Sequence, residues 1–209
     1  MNVEQMLSIS PVIPVVTISD PDHAVPLAEA LLEGGVPIIE VTLRTPAALE
    51  AIERIAERVI GMTVLAGTVC NPVQVRESTT AGAAGLVSPG LTQSLAEAVS
   101  DARAVWLPGI ATASDILCGL ELGLARFKLF PASVVGGPDA LRAFAGPFPG
   151  VRFCPTGGIE RDAVARYLAL SNVACVGGSW VATDKLIQAQ DWATIRENAR
   201  FASGLARAA

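Results

Sequence analysis

At 209 residues the chain is long enough to bury a sizeable core within one domain, and its 51% hydrophobic against 17% charged composition excludes a disordered or fibrous protein. A formal net charge of −5 and a pI near 4.9 leave no basic surface for nucleic acid, and no apolar run approaches the ~18 residues of a membrane span. The opening Met1-Asn2-Val3-Glu4-Gln5 lacks the basic and apolar regions of an export signal, so the cytoplasm is the expected compartment.

Along the chain an apolar, often β-branched run, a polar turn and an amphipathic stretch recur. The runs 12–18, 37–43, 62–68, 85–88, 104–107, 126–130, 151–155 and 173–177 are predicted strands. Their starts fall roughly 19 to 25 residues apart, near the least that a strand, a helix and two loops require. Cap residues followed by proline open several helices, at Asp20-Pro21, Thr45-Pro46, Asn71-Pro72 and Gly137-Pro138. Gly34-Gly35, Gly61 and Gly123 supply the left-handed residue that ends a helix. Residues 183–209 are predicted to form a connector and a last helix over 192–206. Eight such units with no linker predict an α/β single domain over residues 1–209, a (β/α)8 TIM barrel. An open Rossmann-like sheet needs only six units and a Gly-x-Gly-x-x-Gly after its first strand, which is missing here.

Cys70, Cys118, Cys154 and Cys175 are widely spaced with no Cys-x-x-Cys pair, which predicts reduced, mostly buried thiols. The single histidine, His23, lies in a helix-opening Asp-Pro-Asp-His stretch and reads as solvated. One imidazole and scattered thiols predict no metal site and no cofactor.

A barrel carries its chemistry at the C-terminal ends of its strands. The first, Thr17-Ile18-Ser19, offers nothing sharp. On the second, alternation puts Glu40, Thr42 and Arg44 on one side, and a carboxylate facing inward is costly unless paired; a buried Glu40–Arg44 structural pair is one reading. Glycine or proline marks the ends of the third to fifth strands, at Gly67-Thr68, Pro89-Gly90 and Pro108-Gly109. The sixth is Arg126-Phe127-Lys128-Leu129-Phe130, holding one of only two lysines among fifteen basic residues. A chain that uses arginine for its surface and keeps a lysine between phenylalanines points to amine chemistry, Schiff-base formation with a ketone, which arginine cannot perform. The seventh and eighth strands end Thr156-Gly157-Gly158 and Gly177-Gly178-Ser179, where barrels bind phosphate on backbone N–H groups.

The run Gly35-Val36-Pro37-Ile38-Ile39-Glu40-Val41-Thr42-Leu43-Arg44 and the run Gly123-Leu124-Ala125-Arg126-Phe127-Lys128-Leu129-Phe130-Pro131-Ala132 resemble the two signatures of the 2-keto-3-deoxy-6-phosphogluconate (KDPG) and 4-hydroxy-2-oxoglutarate (KHG) aldolases. The resemblance continues through Ala66-Gly67-Thr68, Ser88-Pro89-Gly90-Leu91, Leu107-Pro108-Gly109-Ile110, the Phe153 to Ile159 segment and Gly177-Gly178-Ser179-Trp180. It implies a metal-free class I aldolase, a homotrimer of (β/α)8 barrels cleaving the phosphorylated keto acid to pyruvate and glyceraldehyde 3-phosphate. By position it implies Lys128 as the imine lysine, Glu40 as acid/base, and Arg44 with Thr68 on the pyruvate carboxylate. Pro89 and Phe130 join the substrate-binding set, and Thr156, Gly157, Gly158, Gly177, Gly178 and Ser179 hold the phosphate. Ser133-Val134-Val135 departs from the family, many members having glutamate after the Pro-Ala. Aldolases for the galactonate epimer or for 4-hydroxy-2-oxoglutarate need the same lysine. A non-catalytic phosphosugar-binding barrel would need the glycine loops but not the lysine.

Overall fold

β-Branched runs become strands and the amphipathic stretches between them become helices. The computed structural model describes residues 1–208. In chain order it contains α1 (Val3–Ser8), β1 (Val12–Val16), α2 (Ala24–Glu33), β2 (Ile38–Thr42), α3 (Ala48–Arg58), β3 (Thr63–Gly67), α4 (Pro72–Thr80), β4 (Gly85–Val87) and α5 (Gln93–Asp101). There follow β5 (Trp106–Leu107), β6 (Gly109–Ile110), α6 (Ala113–Glu121), β7 (Arg126–Leu129), α7 (Gly137–Ala145), β8 (Arg152–Phe153), α8 (Val164–Leu168), β9 (Val176–Gly178), α9 (Asp184–Gln188) and α10 (Trp192–Ser203). Among the described residues no helix is long and apolar enough to cross a membrane.

The fold is α/β. A curled parallel sheet of six strands runs β5-β4-β3-β2-β1-β9, and a second parallel sheet runs β6-β7-β8. The predicted fifth strand is interrupted: Pro108 has no N–H to give a ladder, so β5 stops at Leu107 and pairing resumes in β6. Pro108 still accepts from Lys128 N at 2.8 Å. The predicted eighth strand shifts by three residues at its start. Val173 bridges to Phe153 and Gly177 to Thr156, which leaves one extra residue on the β9 side; regular pairing, with β1, begins only at Val176.

Local signals account for most helix ends. Asn71 accepts from Gln74 N and Pro72 opens α4. Thr45 departs from its predicted capping role: its hydroxyl donates to Ile18 O, and α3 begins at Ala48 without a side-chain cap. α1 was not predicted, although Asn2 and Gln5 form its capping box. It lies against the start of the strands, where Met6 and Leu65 pack so close to Gly85 that a Cβ there would sit 2.8 Å from the Met6 sulfur. Burying Met6 completely contributes about 1.5–3 kcal/mol. Val12, Val16 and Ile18 on β1 and beyond, Leu27 and Leu31 on α2, and Ile52 and Ile55 on α3 form part of the core between sheet and helices.

At the start of α6, burial alone would push the Asp115 carboxyl up, but hydrogen bonds from the Ala111 and Thr112 N–H groups and the Thr112 side chain outweigh it and hold it below the ordinary 3.8. A lowered folded value means stabilisation that is complete at neutral pH and lost as pH falls through that value. Asp115→Ala is therefore expected to cost about 1 kcal/mol in urea unfolding at pH 7, with the difference from wild type shrinking as pH is lowered below the ordinary 3.8.

Candidate active site

The curl of the sheets brings Glu40 of β2 beside Lys128 of β7, 88 residues away in sequence. Lys128 Nζ donates to Glu40 Oε1 at 2.9 Å, and the two residues are only 5% and 3% exposed. A buried ion pair is weak as a stabilising device, because desolvation offsets most of its attraction. A pair that contributes so little to stability is a candidate for a functional role. Glu40 thus pairs with Lys128, and the Glu40–Arg44 pair considered from sequence does not form. The carboxylate fits because its neighbour on β3 is glycine: a Cβ on Gly67 would lie 2.4 Å from Glu40 Oε1.

Phe130 and Phe127 do not flank the amine equally. Nζ stands 5.5 Å from the Phe130 ring centroid, whereas Phe127 is fully buried against Gly119 of α6. Alternation along the strand sends Lys128 and Phe127 to opposite faces.

At the end of β3, Thr68 takes φ 61, a left-handed conformation that a β-branched residue rarely adopts, at a cost of about 1–3 kcal/mol. The ladder enforces it: Leu43 N donates to Gly67 O at 2.8 Å and Val69 N to Val87 O at 3.1 Å. The strain delivers Thr68 Oγ1 to Arg44, whose Nε donates to it at 3.3 Å. Arg44 itself is exposed, leaving the rest of its guanidinium free for an anion. Pro89 is fixed by its neighbours. Ser88 Oγ accepts from Trp106 Nε1 at 2.9 Å and donates to Gly90 O at 2.6 Å, and a Cβ on Gly109 would strike Pro89 O at 2.3 Å.

The glycine loops pack on each other through the Thr156–Gly177 bridge. Gly177 is required by the Thr156 side chain, 2.3 Å from where its Cβ would be, and Gly178 by Trp180 and Val12. Packing alone therefore explains these two. Gly157 and Gly158 differ: both are left-handed, at φ 100 and 68, and Gly158 is exposed, as is Ser179.

Sequence reasoning passed over Thr17. Its Oγ1 lies 3.1 Å from that of Thr42, which donates to Val16 O at 2.9 Å. The available signal was its phase, two residues on from Val15 along one face of β1. The cysteines divide evenly: Cys154 and Cys175 are buried, but Cys70 and Cys118 are exposed, contrary to a mostly buried set. The neighbouring Cys154 thiol and burial together push the Cys175 thiol well above the ordinary 9.0. His23 is half-buried beside Gln190, 3.2 Å away, and edge-on to Trp192.

The family model for KDPG and KHG aldolases matches residues 3–198. The chain belongs to this family. The KHG/KDPG aldolase of Escherichia coli (strain K12) is 48% identical over 199 residues, covering 95% of this chain and 93% of that one. Among solved structures, the KDPG aldolase of Zymomonas mobilis ATCC 29191 superposes with a TM-score of 0.95 at 45% identity, over 100% of this chain and 99% of the other. The KDPG aldolase of Legionella pneumophila, solved with pyruvate captured at low pH as a covalent carbinolamine intermediate, superposes with a TM-score of 0.95 at 42% identity, over 98% and 99%. Family membership makes the chain an aldolase, a lyase acting on a small molecule.

Proposed function

We propose that this chain is a class I aldolase that cleaves 2-keto-3-deoxy-6-phosphogluconate to pyruvate and glyceraldehyde 3-phosphate through an imine on Lys128. The observation that carries the reading is the buried Lys128–Glu40 pair, 2.9 Å apart. Glu40 takes a proton from Nζ, and the neutral amine attacks the C2 ketone. Glu40 returns the proton to the carbinolamine hydroxyl, which leaves as water. The resulting iminium draws in the C3–C4 bonding electrons while Glu40 accepts the C4 hydroxyl proton, releasing the aldehyde. Protonation of the enamine at C3 and hydrolysis of the imine free pyruvate. Arg44 and Thr68 clamp the substrate carboxylate, Pro89 and Phe130 wall the pyruvate half, and Thr156, Gly157, Gly158, Gly177, Gly178 and Ser179 surround the phosphate.

The same reading joins the two sheets into one closed (β/α)8 barrel, a single domain over residues 1–209. Its support is that Pro108 alone separates β5 from β6, and that Ala174 N and Gly177 N donate to Phe153 O and Pro155 O across from β8. The family resemblance supports a cytoplasmic homotrimer.

A panel of phosphorylated and unphosphorylated keto acids, with released pyruvate detected by a coupled assay, tests the substrate. Wild type is expected to prefer the phosphorylated acid. In Gly158→Ala, a Cβ at φ 68, and 2.0 Å from Ser133 Oγ, disturbs the phosphate cradle. Its KM for the phosphorylated acid is expected to rise on the order of tenfold, with little change for the other. Neither glycine loop contains a basic side chain. A wild type indifferent to phosphate would therefore put 4-hydroxy-2-oxoglutarate in front, and equal losses on both acids would make Gly158 structural.

A further inference from the structure

In β1, Val15 pairs with Glu40 and Val16 with Val41, so Thr17 comes level with Thr42. Two residues separate Thr42 from Glu40, about 6.6 Å toward the C-terminal end of the strand. Burial along β1 alternates here: Val15 and Thr17 are half-buried, Val16 and Ile18 closed off. Thr17 therefore shares the inward face with Glu40 and stands above it.

The hydrogen bonds fix the polarity of this hydroxyl. Thr42 is 1% exposed, has one hydroxyl proton and donates it to Val16 O, which can only accept. The 3.1 Å contact between the two hydroxyls then runs one way, with Thr17 donating and Thr42 accepting. Thr17's only side-chain proton is used, and among the described residues no protein donor reaches its lone pairs. It is an oriented acceptor.

Strand order fixes its place around the rim. The sheet runs β3-β2-β1-β9, and Gly177 of β9 bridges to Thr156 beyond β8. Thr68 and Arg44 follow β3 and β2 on one side of Thr17; the two glycine loops follow β9 and β8 on the other. A keto acid with its carboxylate on the first pair and its phosphate at the loops passes Thr17 with its middle carbons. The donors it carries there are hydroxyls. That on C4 belongs to Glu40, and the next is on C5.

We propose that Thr17 is a specificity-determining residue that accepts a hydrogen bond from the C5 hydroxyl, selecting aldehydes with a hydroxyl beside the carbonyl. The inference rests on the aldolase reading above. Its test runs the reaction in the condensation direction, joining pyruvate to glyceraldehyde 3-phosphate or to 3-phosphooxypropanal, which keeps the phosphate and lacks only that hydroxyl. Thr17→Val preserves shape and removes the acceptor; Thr17→Ser keeps it. The ratio of kcat/KM for the hydroxylated over the deoxy aldehyde is expected to fall ~3- to 10-fold in Thr17→Val and to survive in Thr17→Ser. A ratio unchanged in Thr17→Val, or lost as fully in Thr17→Ser, overturns the proposal. So does a wild type that shows no preference for the hydroxylated aldehyde, however the variants fold. Failure of the wild type to exchange the methyl protons of pyruvate in D2O would instead overturn the aldolase reading itself.

Discussion

Borohydride added to this protein in the presence of pyruvate is expected to fix one reduced pyruvate per subunit, on Lys128 and not on Lys185. The chain has no other lysine. Lys185 is exposed on α9, whereas Lys128 is buried with a carboxylate at 2.9 Å placed to exchange a proton with it. Lys128→Ala is expected to abolish labelling and to lower kcat/KM on the order of 10⁵-fold or more, since the covalent route disappears with its nucleophile. That variant also leaves Glu40 buried without a partner, so about 3–5 kcal/mol of stability should go with it. Lys128→Arg separates the two effects: it keeps a cation beside Glu40 but supplies a guanidinium that does not deprotonate. A folded, unlabelled and inactive Lys128→Arg is the expected result. Label on Lys185, or turnover by Lys128→Ala, would remove Lys128 from the chemistry.

Lys128 and Glu40 were legible in the sequence for different reasons. Lys128 stood out by composition, a lysine inside an apolar strand of an arginine-using chain, and Glu40 by strand phase. Their mutual contact was not legible. From sequence, Arg44 on the same strand was the near partner, and only the three-dimensional approach of β2 to β7 decides for Lys128. Thr17 was harder still. Nothing local says that its proton is committed, because that depends on Thr42 being held by Val16 O across the β1–β2 ladder. The strand starts were mostly within a residue or two, since β-branched runs encode them. The misses fall where one strand's length depends on a neighbour's register: the break at Pro108 and the shifted start of β9. α1 escaped because its six residues are too few for helical periodicity to register, although its capping box was readable.

Glu40→Gln tests the other half of the pair. Glutamine has nearly the same shape, so it fits beside Gly67 where a larger side chain would not, and its amide oxygen can still accept from Nζ. What it loses is the ability to carry a proton. The mechanism asks Glu40 to move one at carbinolamine formation and dehydration, at C3–C4 cleavage and at C3 of the enamine, so kcat is expected to fall ~10²- to 10⁴-fold. KM should change far less, because the contacts assigned to the carboxylate and phosphate lie with Arg44, Thr68 and the glycine loops. The measurement is kcat and KM for the phosphorylated keto acid, alongside near-ultraviolet circular dichroism to establish that the variant is folded. Borohydride trapping adds a second readout: imine should still accumulate on Lys128 over long incubation, but slowly, since its formation needs the same proton transfers. A folded Gln variant with near-normal kcat would reduce Glu40 to a counter-ion for Lys128, and the proton carrier would have to be sought in another residue.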